Sequence, residues 1–511
     1  MLTSPAPDHE VVVIGAGFSG IGAAIALDRA GFDDVVVLEQ GDGIGGAWHW
    51  NTYPGVAVDI PSFSYQFSYR QRSGWSRVYA PGRELKAYAE DLVDRFGVRD
   101  RIRLNTTVTA TTFDDEHDLW SVAVDGGPEV TARHVIGATG IFNQPQTPPI
   151  AGLDSFAGPT MHTARWDHDV DLTGKRVAVI GTGASAVQVI PAIAPDVERL
   201  VVFQRTPIWC LPKPDARISS VARTALRRIP GARAAARLAS NAYVELTFPI
   251  AAHFATTVPV AAVGERLGRR FLRSQVHDPE TRRKLTPDYT LGCKRPSFHN
   301  DYLATFNREN VALETTGIAE VTPTGVRTTD GTHHEVDVLI LATGFKAFQK
   351  GNMPPYAVRG VGGQDLETFW EDHRFQAYQG VSVPGFPNLF SILGPYGYNG
   401  SSYFALIENQ MRHITRCLVR ARERGATRVE VTAEANERFL DEVLRRRGSQ
   451  VFFQGGCATA NSYYFDAHGD VPFRPATTLE STWRSARFDL DDYRFGSAVP
   501  ATAAPRPAGV S

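Results

Sequence analysis

Two glycine-rich motifs each follow a short apolar run and open a helix-prone stretch. The first reads Gly15-Ala16-Gly17-Phe18-Ser19-Gly20, and the second reads Gly181-Thr182-Gly183-Ala184-Ser185-Ala186. In a G-x-G-x-x-G/A turn, the first glycine permits the tight bend and the second lets the backbone approach a pyrophosphate, which lies at the helix N-terminus. The chain is therefore predicted to contain two dinucleotide sites.

The two motifs differ in the residue that stands 19 positions past their last member. In the first unit this residue is Glu39, followed by Gln40, and a carboxylate there accepts hydrogen bonds from a ribose diol. In the second it is Arg205, whose guanidinium suits a 2′-phosphate, and Thr206 adds a hydroxyl. We therefore expect FAD at the first motif and NADPH, rather than NADH, at the second. The open alternative is that one or both units are decayed nucleotide folds with fortuitous charges.

The elements that must position these motifs alternate between strands and helices. Strands are predicted at 11–14, 35–38, 177–180 and 200–203, and helices at 21–30, 83–96, 184–194, 218–245, 403–423 and 431–447, the last capped by Thr432. Two further apolar strands, 134–137 and 338–341, run into Ala-Thr-Gly and are predicted to mark crossings between domains. The pattern indicates an α/β fold with two Rossmann-like dinucleotide-binding domains, for FAD and NADP, and a helical insert.

The predicted division of the chain interleaves these parts. It comprises a first FAD-binding segment (1–145), a first NADP-binding segment (146–213), a helical subdomain (214–288), a second NADP-binding segment (289–380), a second FAD-binding segment (381–498) and a disordered tail (499–511).

Composition excludes several classes of protein. The 511 residues carry a net charge of −2, which argues against a nucleic-acid-coating protein. The four cysteines form no C-x-x-C pair, and a chain of this length does not depend on disulfides, so we expect a reducing, cytoplasmic setting. The uncharged run 246–264 contains two prolines and a histidine, so a spanning helix is not expected; contact with lipid or with entering substrate stays open. No metal site is predicted.

Three stretches resemble the signatures of type I Baeyer–Villiger monooxygenases. Residues 156–167 (FAGPTMHTARWD) match F-x-G-x-x-x-H-x-x-x-W-[PD], and residues 46–59 (GAWHWNTYPGVAVD) match G-x-W-x-x-x-x-[YF]-P-G-x-x-x-D. Lys294-Arg295-Pro296, followed by Phe306-Asn307-Arg308, is similar to the segment with the family's active-site arginine. In the related N- and S-oxidising enzymes, Tyr or Phe usually replaces the tryptophan found here at Trp166.

The resemblance implies roles for individual residues. Arg295 would be catalytic, and Asp59 would hydrogen-bond to it. Lys294 would join Arg205 and Thr206 at the 2′-phosphate of NADP. His162 and Trp166 would steer domain motion rather than chemistry. The residues expected to contact the flavin cofactor in this region are Gly46, Ala47, Trp48, Asp59, Tyr65 and Gln146.

The resemblance also implies the reaction. NADPH would reduce FAD, and a C4a-peroxyflavin would attack a ketone to give an adduct that rearranges to an ester or lactone. The small-molecule partners are thus a ketone and O2. The alternatives are an N- or S-oxygenase that uses a hydroperoxyflavin, a quinone reductase, and a non-catalytic NADPH-binding protein; a disulfide reductase is excluded because the chain has no C-x-x-C pair. Ser462-Tyr463-Tyr464, where relatives often have Ser-Trp-Tyr, and His299, where many have Asp, place the chain in a divergent branch.

Overall fold

The structure is a computed structural model that describes residues 6–497. The predicted tail, 499–511, lies outside the described residues. The first part of the chain forms a βαβ unit and then a long sheet. Its elements are β1 His9–Ile14, α1 Phe18–Arg29, β2 Val35–Leu38, α2 Ala47–Trp50, α3 Gly82–Arg95, β3 Ile102–Arg103, β4 Val108–Asp114, β5 Leu119–Val124 and β6 Val130–Gly137.

The next part of the chain forms the second βαβ unit and the helical insert. Its elements are β7 Thr160–His162, β8 Arg176–Ile180, α4 Ala184–Ile193, β9 Arg199–Phe203, β10 Cys210–Leu211, α5 Ser220–Arg228, α6 Ala232–Glu245, a π-helix Leu246–Ile250, α7 Ala251–His253, α8 Val260–Gln275 and α9 Pro279–Lys284. The predicted helix 218–245 is two helices, because Pro230 and Gly231 interrupt it and Gly231 adopts a left-handed conformation.

The last part of the chain completes both sheets. Its elements are β11 Ser297–Phe298, α10 Tyr302–Thr305, β12 Val311–Glu314, β13 Ile318–Thr322, β14 Gly325–Thr328, β15 His333–Glu335, β16 Val338–Leu341, β17 Ala357–Arg359, α11 Leu366–His373, β18 Leu389–Ser391, α12 Tyr403–Arg424, β19 Arg428–Val431, α13 Ala433–Arg446, α14 Thr478–Arg487 and β20 Tyr493–Gly496. The predicted cap of α13 is present, since the Thr432 hydroxyl accepts a hydrogen bond from the Ala435 amide at 3.2 Å.

Two separate sheets carry the two glycine-rich turns. The first has the order β17-β4-β5-β6-β1-β2-β3, with β18 also paired to β6. The second has the order β12-β9-β8-β16-β7, and all its strands are parallel. The central strands β1 and β8 are apolar and buried over Val11–Ile14 and Val177–Ile180, as expected of strands covered on both faces. This arrangement confirms the predicted fold class.

The chain crosses between the sheets twice, and the two crossings lie side by side. They follow β6 and β16, the two strands predicted to mark them. The Gln146 amide donates to the Gly344 carbonyl at 2.8 Å, and Pro145 pairs with Phe345 in an antiparallel bridge. The return occurs before the predicted boundary at 380, because β17 pairs with β4 of the first sheet. The sequence did not predict β17, because a three-residue edge strand is too short to show a hydrophobic period.

No helix within residues 6–497 is long and apolar enough to cross a membrane. The same residues contain no group of three or more His, Cys, Asp or Glu side chains that could hold a metal ion.

Candidate functional site

The first glycine-rich turn joins β1 to α1 with almost no space for side chains. Gly15 has a φ of +105°, and a Cβ on Gly20 would lie 1.8 Å from the Gly15 carbonyl oxygen. Gly17 precedes α1 without any side-chain cap, so the first amides of the helix stay free for a ligand. The turn therefore fits a bound pyrophosphate.

The neighbours of this turn have distinct contacts. The Glu39 carboxylate is buried and accepts from the Ala16 and Gly41 amides at 2.6 and 2.8 Å, which holds it beside the turn. Gln40, next to it, is exposed. The Phe18 ring packs against Phe404 in the core, so only the backbone of Phe18 faces the ligand side. Ser19 is buried in the first turn of α1.

Residues 46–59 close the opposite side of the first turn. A Cβ on Gly46 would lie 2.9 Å from the Cα of Gly17, so the two glycines let the loop and the turn touch. Ala47 and Trp48 begin α2, and the Trp48 indole donates to the Tyr65 hydroxyl at 3.2 Å. Burial raises the pKa of Tyr65 well above its ordinary value, so Tyr65 stays a neutral hydrogen-bonding group.

The second turn has the same form. Gly181 has a φ of +115°, and its Cβ would lie 2.4 Å from the Ala342 carbonyl oxygen. Gly183 faces open space, and α4, which begins with Ala184, Ser185 and Ala186, has no side-chain cap. The Thr182 hydroxyl donates to the Thr206 carbonyl at 2.9 Å. These features fit a second pyrophosphate.

Two cations lie together beside this second turn. Arg205 is exposed just after β9, and Lys294 is close enough for the charge of Arg205 to affect its pKa. Burial, and next the charge of Arg205, lower the pKa of Lys294 to about 8. The Asn461 amide donates to the Thr206 hydroxyl at 2.9 Å. Within residues 6–497 neither cation forms an ion pair with a carboxylate, so the cluster suits a phosphate dianion.

Arg295 and Asp59 meet although 236 residues separate them. The Asp59 Oδ2 accepts from Nε of Arg295 at 2.8 Å and lies 2.7 Å from Nη2. The side chains are 24% and 29% exposed, respectively. Burial disfavours the charged guanidinium, but the Asp59 carboxylate and the neighbouring hydroxyls of Tyr398, Tyr464 and Tyr463 together outweigh it, so the pKa of Arg295 is raised well above its ordinary value. The remaining nitrogen, Nη1, has only a long contact of 3.5 Å with the Tyr398 hydroxyl.

Aromatic rings enclose the guanidinium. The Phe248 ring centroid lies 5.9 Å from Cζ of Arg295, and Tyr398 packs on Phe473 at 4.9 Å between centroids. Tyr463 and Tyr464, from the divergent Ser-Tyr-Tyr triplet, are close enough to affect its pKa. Phe248 lies against Gly400, where any Cβ would overlap its ring.

Sequence reasoning missed three of these neighbours: Phe248, Tyr398 and Lys213. Lys213 is buried and donates from Nζ to the Val58 carbonyl at 3.1 Å, so a second cation lies beside Asp59. Burial lowers the pKa of Lys213. A buried lysine in the run Leu211-Pro-Lys-Pro gives no periodic signal, whereas Tyr398 lies in the glycine-rich stretch 394–400, which could have drawn attention to it.

Gln146 and His162 lie at the crossing of the two chain segments rather than beside Arg295. The Gln146 Oε1 atom is buried without a hydrogen-bond partner in the described part of the chain, which leaves it free for a ligand. His162 ends β7, and its Nδ1 accepts from the Ala164 amide at 3.0 Å. Burial lowers the pKa of His162 to about 4, so the ring is neutral, as a structural role requires.

Cys293 and Cys457 form a disulfide, contrary to the expectation of a chain without one. The bond ties the loop that carries Lys294 and Arg295 to the segment that carries Asn461 and Tyr463. The two cysteines are 164 residues apart in sequence, so no local spacing could indicate the pair.

Known proteins are similar to this chain in sequence and in fold. The family of pyridine nucleotide-disulphide oxidoreductases matches residues 12–291. A Baeyer-Villiger monooxygenase of Pseudomonas aeruginosa is 38% identical over 507 residues, covering 97% of this chain and 94% of that protein. The chain belongs to the Baeyer–Villiger monooxygenases. A second Baeyer-Villiger monooxygenase, from Streptomyces coelicolor, is 36% identical and covers 96% of this chain and 93% of its own length.

The fold of these monooxygenases is also present. The crystal structure of cyclohexanone monooxygenase from Rhodococcus sp. Phi1 bound to NADP+ superposes with a TM-score of 0.86 at 31% identity, covering 96% of this chain and all of that chain. The family assignment confirms the resemblance drawn from residues 46–59, 156–167 and 294–308. It also favours ketone oxygenation over the N- or S-oxygenase alternative.

Proposed function

We propose that the Asp59–Arg295 pair is the catalytic centre of this enzyme, and that Arg205, Lys294 and Thr206 hold the 2′-phosphate of its reductant. The enzyme is an FAD- and NADPH-dependent Baeyer–Villiger monooxygenase. It inserts one oxygen atom of O2 next to a ketone carbonyl and releases an ester or lactone. The observation that carries the proposal is the two-point contact between Asp59 and Arg295 where the two dinucleotide folds meet.

The residues fit both cofactors. The first turn and Glu39 would hold FAD, whose bound flavin takes the hydride of NADPH and activates O2. Trp48, Tyr65 and the unpartnered Oε1 of Gln146 would contact this cofactor. The second turn would hold the pyrophosphate of NADPH.

Arg295 is suited to stabilise negative charge on oxygen. Its guanidinium is always protonated, and Asp59 occupies the edge formed by Nε and Nη2. Nη1 is left for an oxygen atom of the substrate, on which negative charge develops when the carbonyl is attacked. A preorganised donor of this kind contributes about 10²–10³-fold to rate. The rings of Phe248 and Tyr398 lie beside the guanidinium and make its surroundings less polar than water, which strengthens the interaction.

The test separates oxygen insertion from cofactor binding. Arg295→Ala is expected to retain FAD and to be reduced by NADPH without oxygen, but to lose ester formation by about 10²–10³-fold. Arg295→Lys keeps the positive charge but loses the planar guanidinium with its several N–H donors, so it is expected to recover little of the lost ester formation. Arg445→Ala, which removes an exposed arginine outside the segments that resemble the family signatures, is the matched control. Product is measured by gas chromatography with a panel of cyclic and linear ketones. A normal ester yield from Arg295→Ala would refute the assigned role.

The cytoplasmic setting stays a prediction. The Cys293–Cys457 disulfide is the observation that bears against it, because disulfides are rare in reducing compartments.

A further inference from the structure

An unusual surface lies on the helical insert and on α14. Eleven large hydrophobic side chains are exposed within residues 6–497, and eight of them lie on these two parts. On α5, α6 and the start of α14 they are Val221 (77% exposed), Ile229 (58%), Leu238 (71%), Leu246 (50%), Leu479 (81%) and Trp483 (58%). We call residues 216–246 and 478–483 the insert face. A single exposed leucine needs no explanation, but such a concentration indicates an interaction site.

The same surface is strongly basic. Residues 216–244 contain six arginines and neither an acidic residue nor a lysine. The whole insert, 216–275, contains ten arginines and two glutamates, a net charge of +8 in a chain whose total is −2. Within residues 6–497, Arg223, Arg227 and Arg228 form no ion pair. The insert is therefore strongly positive, and the rest of the chain carries the compensating negative charge.

The apolar side chains of α6 form one row. Ala234, Leu238, Ala242 and Leu246 are spaced four residues apart and all are exposed. The opposite side of the helix packs on the protein through Ser240 and Val244, which are buried. The row extends over about 18 Å at 1.5 Å per residue. α6 thus differs from an ordinary surface helix, because a row of its apolar side chains faces solvent.

α14 continues this row. The Thr478 amide donates to the Glu245 carboxylate at 3.0 Å, so the N-terminus of α14 lies against the C-terminus of α6. Leu479 and Trp483 are one turn apart on α14 and both are exposed. Leu246 and Leu479 each directly follow one of the two hydrogen-bonded residues. The exposed side chains at the end of α6 and at the start of α14 are therefore neighbours.

We propose that the insert face docks on the surface of an anionic lipid bilayer, with α6 lying in the plane of the interface. Arginines beside outward leucines and a tryptophan are the composition of interfacial helices, whose apolar side enters the acyl boundary while their cations contact lipid phosphates. A second copy of the chain is disfavoured, because an isologous contact would bring two arginine-rich surfaces together. Nucleic acid would leave the exposed leucines and Trp483 without a partner.

The docking surface is connected to the site. α6 continues without a break into the π-helix, which places Phe248 near Arg295 two residues after Leu246. An apolar ketone dissolved in the bilayer would therefore lie close to the catalytic arginine. Docking itself does not depend on the reaction. Failure of the vesicle-binding test below would therefore leave the role of Arg295 untouched, and failure of the Arg295 test above would leave the docking proposal untouched.

The experiment measures flotation of the FAD-loaded enzyme with lipid vesicles. Vesicles of equal parts phosphatidylglycerol and phosphatidylcholine are expected to carry the enzyme, and vesicles of phosphatidylcholine alone are not. The double variants Arg227→Gln/Arg228→Gln and Leu238→Ser/Leu479→Ser are each expected to lower the partition coefficient by about tenfold or more. Their FAD content and their activity on a water-soluble ketone are expected to stay unchanged.

Controls come from exposed residues elsewhere on the chain. Arg95→Gln/Arg445→Gln removes two exposed arginines, and Leu104→Ser removes an exposed leucine, all outside the insert face. Neither control is expected to change binding. Equal binding to neutral and anionic vesicles, or equal losses in the controls, would overturn the proposal. So would a dimer in analytical ultracentrifugation that Leu238→Ser/Leu479→Ser dissociates, because the occupant would then be a second copy.

Discussion

We predict that Lys294 gives the enzyme a pH-dependent affinity for its reductant. Its pKa of about 8 is lowered first by burial and then by Arg205. Only the protonated amine attracts a phosphate dianion, so the binding contribution is nearly complete at pH 7 and is lost as the pH rises through 8. With this pKa, roughly 90% of Lys294 is charged at pH 7 and roughly 10% at pH 9.

The dissociation constant for NADP+ is therefore expected to rise about tenfold between pH 7 and pH 9. The second pKa of a phosphate monoester is about 6, so the ligand is already mostly the dianion at pH 7 and its charge changes little over this range. NAD+ lacks the 2′-phosphate and is expected to show a flat profile. Lys294→Met should flatten the NADP+ profile and weaken NADP+ at pH 7 by about 1–3 kcal/mol, the range for a hydrogen bond to a charged group.

The assay is calorimetric titration of NADP+ and NAD+ into the oxidised, FAD-loaded enzyme at several pH values. Lys175→Met, which removes an exposed lysine in the same domain, serves as the matched control. If Lys294→Met keeps the tenfold slope, or if the natural enzyme shows none, then Lys294 does not hold the 2′-phosphate.

Three further changes test other parts of the site. Arg205→Ala is expected to reduce the preference for NADPH over NADH in kcat/KM by about 1–3 kcal/mol, and an unchanged ratio would contradict the assignment. Asp59→Asn removes the charge that faces Arg295. Because both side chains are partly solvated, we expect the free energy of unfolding in urea to fall by about 1–3 kcal/mol and the ester yield to fall as well. Normal values of both quantities would show that the pair is unimportant. Gly20→Ala places a methyl group 1.8 Å from a carbonyl oxygen and is expected to lower the flavin content and destabilise the fold by about 1–3 kcal/mol, whereas Gly448→Ala, which has open space around it, should do neither.

Local chemistry explains why the sequence predicted the two dinucleotide folds. The turn at Gly15 and the turn at Gly181 each need glycine for steric reasons that act within a few residues. The strand and helix on either side of each turn have periods that can be read directly. The same holds for α12, predicted at 403–423 and found at Tyr403–Arg424, and for the Thr432 cap. The motifs in residues 46–59 and 156–167 then identified the family, which the comparison with known proteins confirms.

Contacts between distant segments depend on the tertiary structure. The Asp59–Arg295 pair spans 236 residues and the Cys293–Cys457 pair spans 164, and neither separation follows from any periodicity. Resemblance to a family suggested the first pair, but nothing in the sequence suggested the second. The pKa of Lys294 likewise depends on burial and on Arg205, a neighbour from a distant part of the chain. The exposure of the apolar row on α6 also depends on the tertiary structure. A helix rich in Arg, Ala and Leu has an amphipathic sequence pattern, but the pattern does not determine which side of the helix packs against the protein. Only packing against the rest of the chain determines which residues meet, which are buried and which face solvent.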